Sequence, residues 1–306
     1  MSWQLYALDK FLRHKVKEKL TPDMTPEAAR AFLEKAMKYM PALPKKTTVE
    51  TLTIAGLPGE KISAPGADPS RAILHYHGGV YVMGSAATHR NMAAHLSAQA
   101  GAPVFLPEYR LAPEHPFPAA VEDACHAYGW MIEQGFSPDR IALCGDSAGG
   151  GLVLASMMAL REEQGPMPAA LATISAWTDL AATGASLVDN LHDDPMLNGE
   201  MVAPAAEIYL AGHNARDPLA SPLYGNMEGL PPVLMMAGQS EVLRDDTTRM
   251  AEKLKAARVD VTVELWPAVP HTWPIFAGRL PEGKAALKII GDFFQSHWAE
   301  KNAKVA

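Results

Sequence analysis

A chain of 306 residues, 48% of them hydrophobic and 20% charged, can build a sizeable core as one large domain or two smaller ones. A formal net charge of −7 without a basic stripe excludes the usual nucleic-acid binder, and no run of about 18 apolar residues marks a membrane span. The charge-laced start, "MSWQLYALDKFLRHKVKEKL", lacks the apolar stretch and small-residue cleavage site of a secretory signal, so a cytoplasmic location is expected.

Taken in chain order, residues 1–45 read as two short amphipathic helices punctuated by "TPDMTPEAA" and "PALPKK". Strands and helices then alternate. "TVETLTIAG" is a predicted strand, followed by the loop "APGADPS". "AILHYH" is an apolar strand running into "GGVYVMGS". "THRNMAAHLSAQAG" is helical, "APVFLPEY" a strand and "FPAAVEDACHAYGWMIEQG" helical. "RIALC" is a strand that meets "GDSAGG", and "GGLVLASMMALREEQ" continues as a helix. "AALATISAW" is the next strand, and residues 181–220 interrupt the alternation. "PPVLMMAG", "DDTTRMAEKLKAARV", "DVTVELWP" and "EGKAALKIIGDFFQSHW" close the chain as strand, helix, strand, helix. Such alternation implies an α/β fold, a mostly parallel central sheet flanked by helices. Residues 46–306 are expected to form this core. Residues 1–45 and 181–220, which do not fit the alternation, are expected to form a helical cap over the strand ends.

Ser147 sits at a carboxyl strand end, where ligand chemistry gathers in such sheets. Gly145, Asp146, Ser147, Ala148 and Gly149 fill the pattern G-x-S-x-G of a nucleophile elbow. The pattern alone is weak, because a glycine-lined strand-to-helix turn would look the same. Its strand-before, helix-after context strengthens it. A serine hydroxyl needs a base, and the base needs an orienting acid, in the order serine, acid, histidine on this kind of fold. Of 11 histidines, His271 in "ELWPAVPHTWPIF" is the one in a loop after the last strand. His213 lies in the expected cap and His297 in the final helix. For the acid, "LMMAGQSEVLRDD" offers Glu241, Asp245 and Asp246, and Asp179 follows the preceding strand. Glu241 stands just past the strand end, whereas Asp245 begins a helix and more naturally caps it. Gly78 and Gly79, with Ala148 after the nucleophile, are the expected oxyanion donors.

The two cysteines, Cys125 and Cys144, fit a reducing compartment; Cys144 reads as a buried, inert thiol. His75 and His77 alternate on a strand but have no third ligand, so no metal site is expected. Trp3, Phe11, Phe32, Met83, Trp177, Met196, Tyr209 and Trp273 either line a pocket or pack a core, and for each the core is the default.

"HGGV", "EYRLAPEHPFPAAVEDA", "GDSAGG", "EVLRDD" and "PHTW" together resemble the hormone-sensitive-lipase-like esterases, bacterial family IV, from about Ala72 to the C-terminus. The resemblance implies an α/β-hydrolase core with an N-terminal helical cap. It also implies hydrolysis of small carboxylic esters, mostly with short acyl chains, and no metal or cofactor. By position it makes Ser147 the nucleophile, His271 the base, and Gly78, Gly79 and Ala148 the oxyanion donors. Three departures stand out. Val80 replaces the third glycine of "HGGG". Glu241 replaces the aspartate of "DPL". "HTW" replaces "HGF", which puts Trp273 beside the base. Family members often dimerise through the edge strand, here near "VTVELW", so a homodimer is an expected assembly. Two rival functions stay open. An amidase or peptidase on the same fold would be separated by matched ester and amide assays. A non-catalytic receptor would typically have lost the nucleophile or the base.

Overall fold

The computed structural model describes residues 1–21, 24–37 and 40–303. The expected N-terminal helices and core therefore extend, at 22–23, 38–39 and 304–306, outside the described residues. In chain order the elements are α1 (Trp3–Lys15), α2 (Pro26–Met37), β1 (Thr48–Ile54), β2 (Leu57–Ser63), β3 (Ala72–Tyr76), α3 (Ala86–Ala100), β4 (Val104–Pro107) and α4 (Ala119–Glu133). They continue with β5 (Ile141–Asp146), α5 (Ala148–Glu162), β6 (Ala170–Ile174), α6 (Ser186–Asp189), α7 (Val202–Leu210), β7 (Val233–Gly238), α8 (Arg244–Ala256), β8 (Val261–Trp266) and α9 (Pro281–Ala303).

The strands form one eight-stranded sheet in the order β1-β2-β4-β3-β5-β6-β7-β8. β2 pairs antiparallel with β1 and with β4, and all other pairings are parallel. Every residue of β3, β4, β5, β6 and β7 is buried. Helices cover both sheet faces, so these strands read as unbroken apolar runs rather than alternating ones. Successive side chains serve opposite layers: Leu74, Leu143, Leu171 and Met235 join the core under α4, α5 and α8. Ile73, Ala142, Ala172 and Leu234 join the core under α3 and α9.

One strand was not expected. β2 follows β1 through a two-residue hairpin in which Ala55 (φ 51) and Gly56 (φ 84) are both left-handed. Pro58 and Gly59 lie inside β2, and such residues usually argue against a strand. Gly59 is there because a Cβ would fall 2.7 Å from Ile54 Cδ1 and 2.9 Å from Leu106 O.

The order of the sheet locates the chemistry. From β3 the chain moves outward to β4, then returns to lay β5 on the other side of β3. That reversal opens a crevice at the carboxyl ends of β3 and β5. Tyr76 of β3 is level with Gly145 of β5, so the loop after β3 faces the turn after β5.

The segments that broke the alternation pack beside this crevice. Arg13 and Lys17, at the end of α1 and just beyond it, donate to the carbonyls of residues 191–194 at 2.5–2.7 Å. Arg30 of α2 donates to Val82 O and Ala112 O and pairs with Glu114. Tyr209 of α7 stacks on Tyr81 with ring centroids 3.9 Å apart. Among the described residues no helix is long and apolar enough to cross a membrane.

Candidate active site

β5 ends at Asp146 and α5 begins at Ala148, which leaves Ser147 alone in the turn at φ 51, ψ −122. A non-glycine residue in that region costs about 1–3 kcal/mol and persists only where its surroundings impose it. Here they do. Ser147 donates its N–H to Ile174 O at 2.8 Å, and its carbonyl accepts from Trp177 N at 2.9 Å and Gly150 N at 3.0 Å. The two pattern glycines answer steric demands. A Cβ on Gly145 would lie 2.2 Å from Gly149 O, and one on Gly149 would lie 2.0 Å from Tyr76 O. Gly149→Ala is therefore expected to destabilise the fold by a few kcal/mol in urea unfolding. The clash with β3 backbone, about 1–3 kcal/mol or more for such overpacking, outweighs alanine's advantage of about 1 kcal/mol in a helix.

His271 lies in the loop after β8 and Glu241 in the loop after β7. His271 is 3% exposed and Glu241 fully buried. His271 Nδ1 donates to Glu241 Oε2 at 2.8 Å. The other carboxylate oxygen accepts from Ser175 Oγ at 2.8 Å and from the Gly238 N–H at 2.5 Å. Ser175 Oγ in turn accepts from Thr272 N at 3.1 Å, so one hydroxyl braces both the acid and the residue after His271. β6 also links the two halves of the site, because Ile174 holds Ser147 and Ser175 holds Glu241. Burial works against a charged His271, but the hydrogen bond and charge of Glu241, with Asp194 and Asp146 behind it, outweigh burial and raise its pKa. Among the described residues no hydrogen bond joins the Ser147 hydroxyl to His271; such contacts commonly tighten only with substrate bound.

The other acids have different partners. Asp246 Oδ1 accepts from Thr178 N and Asp179 N, and burial pushes its carboxyl up to about 7. Asp179 takes Ala181 N, Thr183, Tyr224 and Arg249. Asp245 does not cap its own helix as expected: its Oδ2 accepts from Ser186 N at 2.9 Å, at the start of α6.

One expected oxyanion donor is corrected by the geometry. The Gly78 N–H points to Asp146 Oδ1 at 3.2 Å and is already engaged. Farther along the same loop, the N–H groups of Gly79 and Val80 have no acceptor among the described residues, and neither does that of Ala148.

Sequence reasoning missed three supports of Glu241 and its loop. Ser175 is a strand-end serine at φ 50, a signal visible only in the backbone. Asn190 donates to Gln239 O and Glu241 O at 3.0 and 2.8 Å, and Asp194 accepts from Val242 N at 3.0 Å. These lie some fifty residues from the loop they hold, beyond the reach of any local pattern.

Of the aromatic candidates, Trp3 and Phe11 are exposed, and Trp273 is packed against Trp266 with its Nε1–H directed to Glu282 O. His213 meets the edge of Phe117, and His297 bonds Phe293 O, both away from Glu241. Both cysteines are free. Burial raises the Cys144 thiol pKa and pushes Cys125 up to about 12. Among the described residues no group of three histidine, cysteine or acidic side chains is arranged to hold a metal.

Comparison with known proteins is consistent in fold and in activity. Residues 73–275 match a family model described as alpha/beta hydrolase fold. The chain is 43% identical over 236 residues to an acetyl-hydrolase of Streptomyces hygroscopicus, covering 77% of this chain and 79% of that one. It is 32% identical over 295 residues to an esterase of Acinetobacter venetianus, covering 96% and 97% of the two chains. A crystal structure of an esterase from the bacterial hormone-sensitive lipase family superposes with a TM-score of 0.93 at 44% identity, over 97% of this chain and 99% of that one. An esterase/lipase from an uncultured bacterium does so with a TM-score of 0.93 at 41% identity, over 98% and 100%.

Proposed function

The chain belongs to the α/β-hydrolase family, among the hormone-sensitive-lipase-like esterases, and is a carboxylic ester hydrolase; from that premise we propose that it cleaves short-chain acyl esters with Ser147, His271 and Glu241 as a triad. His271 Nε2 takes the Ser147 proton as the hydroxyl attacks the ester carbonyl. The tetrahedral oxyanion is met by the N–H groups of Gly79, Val80 and Ala148, and His271 protonates the departing alcohol. Water, deprotonated by the same histidine, then releases the acid and restores Ser147. Glu241 fixes the tautomer of His271 and stabilises its charged form.

The observation that carries this reading is the 2.8 Å bond from His271 to a fully buried Glu241, at the strand ends where Ser147 is held in a strained turn. Residues 1–45 and 181–220 act as the cap that limits acyl length. The bonds from Arg13, Lys17 and Arg30, and the Tyr209–Tyr81 stack, support that role. The test is hydrolysis of p-nitrophenyl esters from acetate to palmitate, beside matched p-nitroanilides. Highest kcat/KM at two to six acyl carbons, with far slower anilide cleavage, is expected. Anilides cleaved as fast as esters would favour the amidase instead.

The pH dependence follows from the base. Only neutral His271 can accept the Ser147 proton, so activity falls as pH drops through its pKa. Because that pKa is raised, the acid limb of kcat/KM has its midpoint above the ordinary value of about 6.5. A limb centred below 6, or a flat profile from pH 5 to 8, would contradict the assignment.

A further inference from the structure

Directly before Ser147 stands a buried carboxylate that the acyl-transfer steps do not use. Asp146 is 2% exposed, and its two oxygens meet three donors. Oδ1 accepts from His75 Nε2 at 3.1 Å and from the Gly78 N–H at 3.2 Å; Oδ2 accepts from His89 Nε2 at 3.2 Å. Hydrogen bonding sets the proton count. Thr88 Oγ1 gives its proton to Ser85 O at 2.7 Å, so it accepts from His89 Nδ1, 2.8 Å away. Both ring nitrogens of His89 then donate, which makes it an imidazolium. Burial opposes that charge, and the charge and hydrogen bond of Asp146 outweigh it. His75 is bonded through one nitrogen only, and burial lowers its pKa, so it stays neutral.

A carboxylate–imidazolium pair thus lies buried beneath the loop that follows β3. Ion pairs in such places are costly to desolvate and are seldom the best way to gain stability. The loop above needs an anchor. Gly79 stands at φ 122, Val80 at φ 51 and Tyr81 at φ 62, three successive residues in the left-handed half of the map. Gly78, just before them, approaches so closely that a Cβ would fall 2.4 Å from Asp146 Oδ2 and 3.1 Å from Ser147 Cβ.

We propose that Asp146 is the positioning residue of the oxyanion loop. It grips the Gly78 N–H and so fixes where the next two N–H groups point, while His75 and His89 hold the carboxylate in orientation. The inference rests on the acyl-transfer reading above. It also gives the residue between Gly145 and Ser147 a task of its own, distinct from that of the glycines.

The test uses 1-butaneboronic acid, which becomes a tetrahedral anion on an attacking serine and so reads the oxyanion donors. In Asp146→Ala, the inhibition constant is expected to rise and kcat on p-nitrophenyl butyrate to fall, each by at least about 10-fold, with KM within about 3-fold. Asp146→Ser is too short to reach Gly78 and keeps a polar group in the cavity. It should behave alike and serves where the alanine variant does not fold. Asp146→Asn, whose amide oxygen still accepts from Gly78, should recover most of both quantities. Boronate affinity unchanged in the folded truncations, or lost equally in Asp146→Asn, would overturn the proposal. Failure of the wild-type enzyme to bind the boronate would instead overturn the serine-nucleophile reading.

Discussion

Ser147→Ala is expected to abolish turnover, with kcat on p-nitrophenyl acetate reduced by roughly 10⁶-fold, the scale on which a lost triad serine acts. The fold should not suffer. The Ser147 hydroxyl has no hydrogen bond among the described residues, so its removal leaves no buried partner unsatisfied. Alanine keeps the Cβ and therefore the strain at φ 51. The melting temperature should match wild type within about a degree or two, because nothing that stabilises the native state changes. A variant that unfolds early would show the hydroxyl to be structural. A variant that still turns over would remove the serine from the mechanism.

Glu241→Gln and Asp245→Ala are expected to part sharply. Glu241 collects Nδ1–H of His271, the Ser175 hydroxyl and the Gly238 N–H. Glutamine fills the same volume, and its oxygen can keep Ser175 and Gly238. Its NH₂ then faces His271 Nδ1, which must give up its proton there and carry it on Nε2, the nitrogen needed as base. A wrong tautomer of this kind lowers kcat by roughly 10⁴-fold. Glu241→Ala adds a stability loss of several kcal/mol, since three buried donors lose their acceptor at about 1–3 kcal/mol each. Asp245→Ala removes an acceptor at the start of α6. It should cost about 1 kcal/mol in urea unfolding and leave kcat within a few-fold of wild type. Equal losses of kcat in the two variants would show that the acid acts through the loop rather than through His271.

The parts of this molecule that the sequence made legible are those set by local pattern. The apolar runs of β3 to β7 announce strands covered on both faces, and Gly145 and Gly149 announce a close crossing of strand and helix. A parallel sheet confines its chemistry to carboxyl strand ends, which leaves few residues to choose from and points to His271 and Glu241, the pair that the structure joins by a 2.8 Å hydrogen bond. What was illegible depends on distant pairing. β2 was hidden because its glycine and proline look like breaks until Ile54 and Leu106 are seen beside them. Ser175 reaches Glu241 across 66 positions, and no pattern at either end foretells the other. A glycine loop suggests free N–H groups and so makes Gly78 an expected oxyanion donor; only the position of Asp146 Oδ1 shows that this N–H is taken.

The most direct measurement is an acid quench during p-nitrophenyl butyrate turnover, followed by mass spectrometry of the peptides. The triad requires a butyryl group on the peptide holding Ser147, present in the steady state and absent in Ser147→Ala. It should accumulate further when His271→Ala is mixed with a highly activated ester, because deacylation also needs the histidine. A butyryl group on another residue, or full hydrolysis with no acylated peptide at any quench time, would contradict the account.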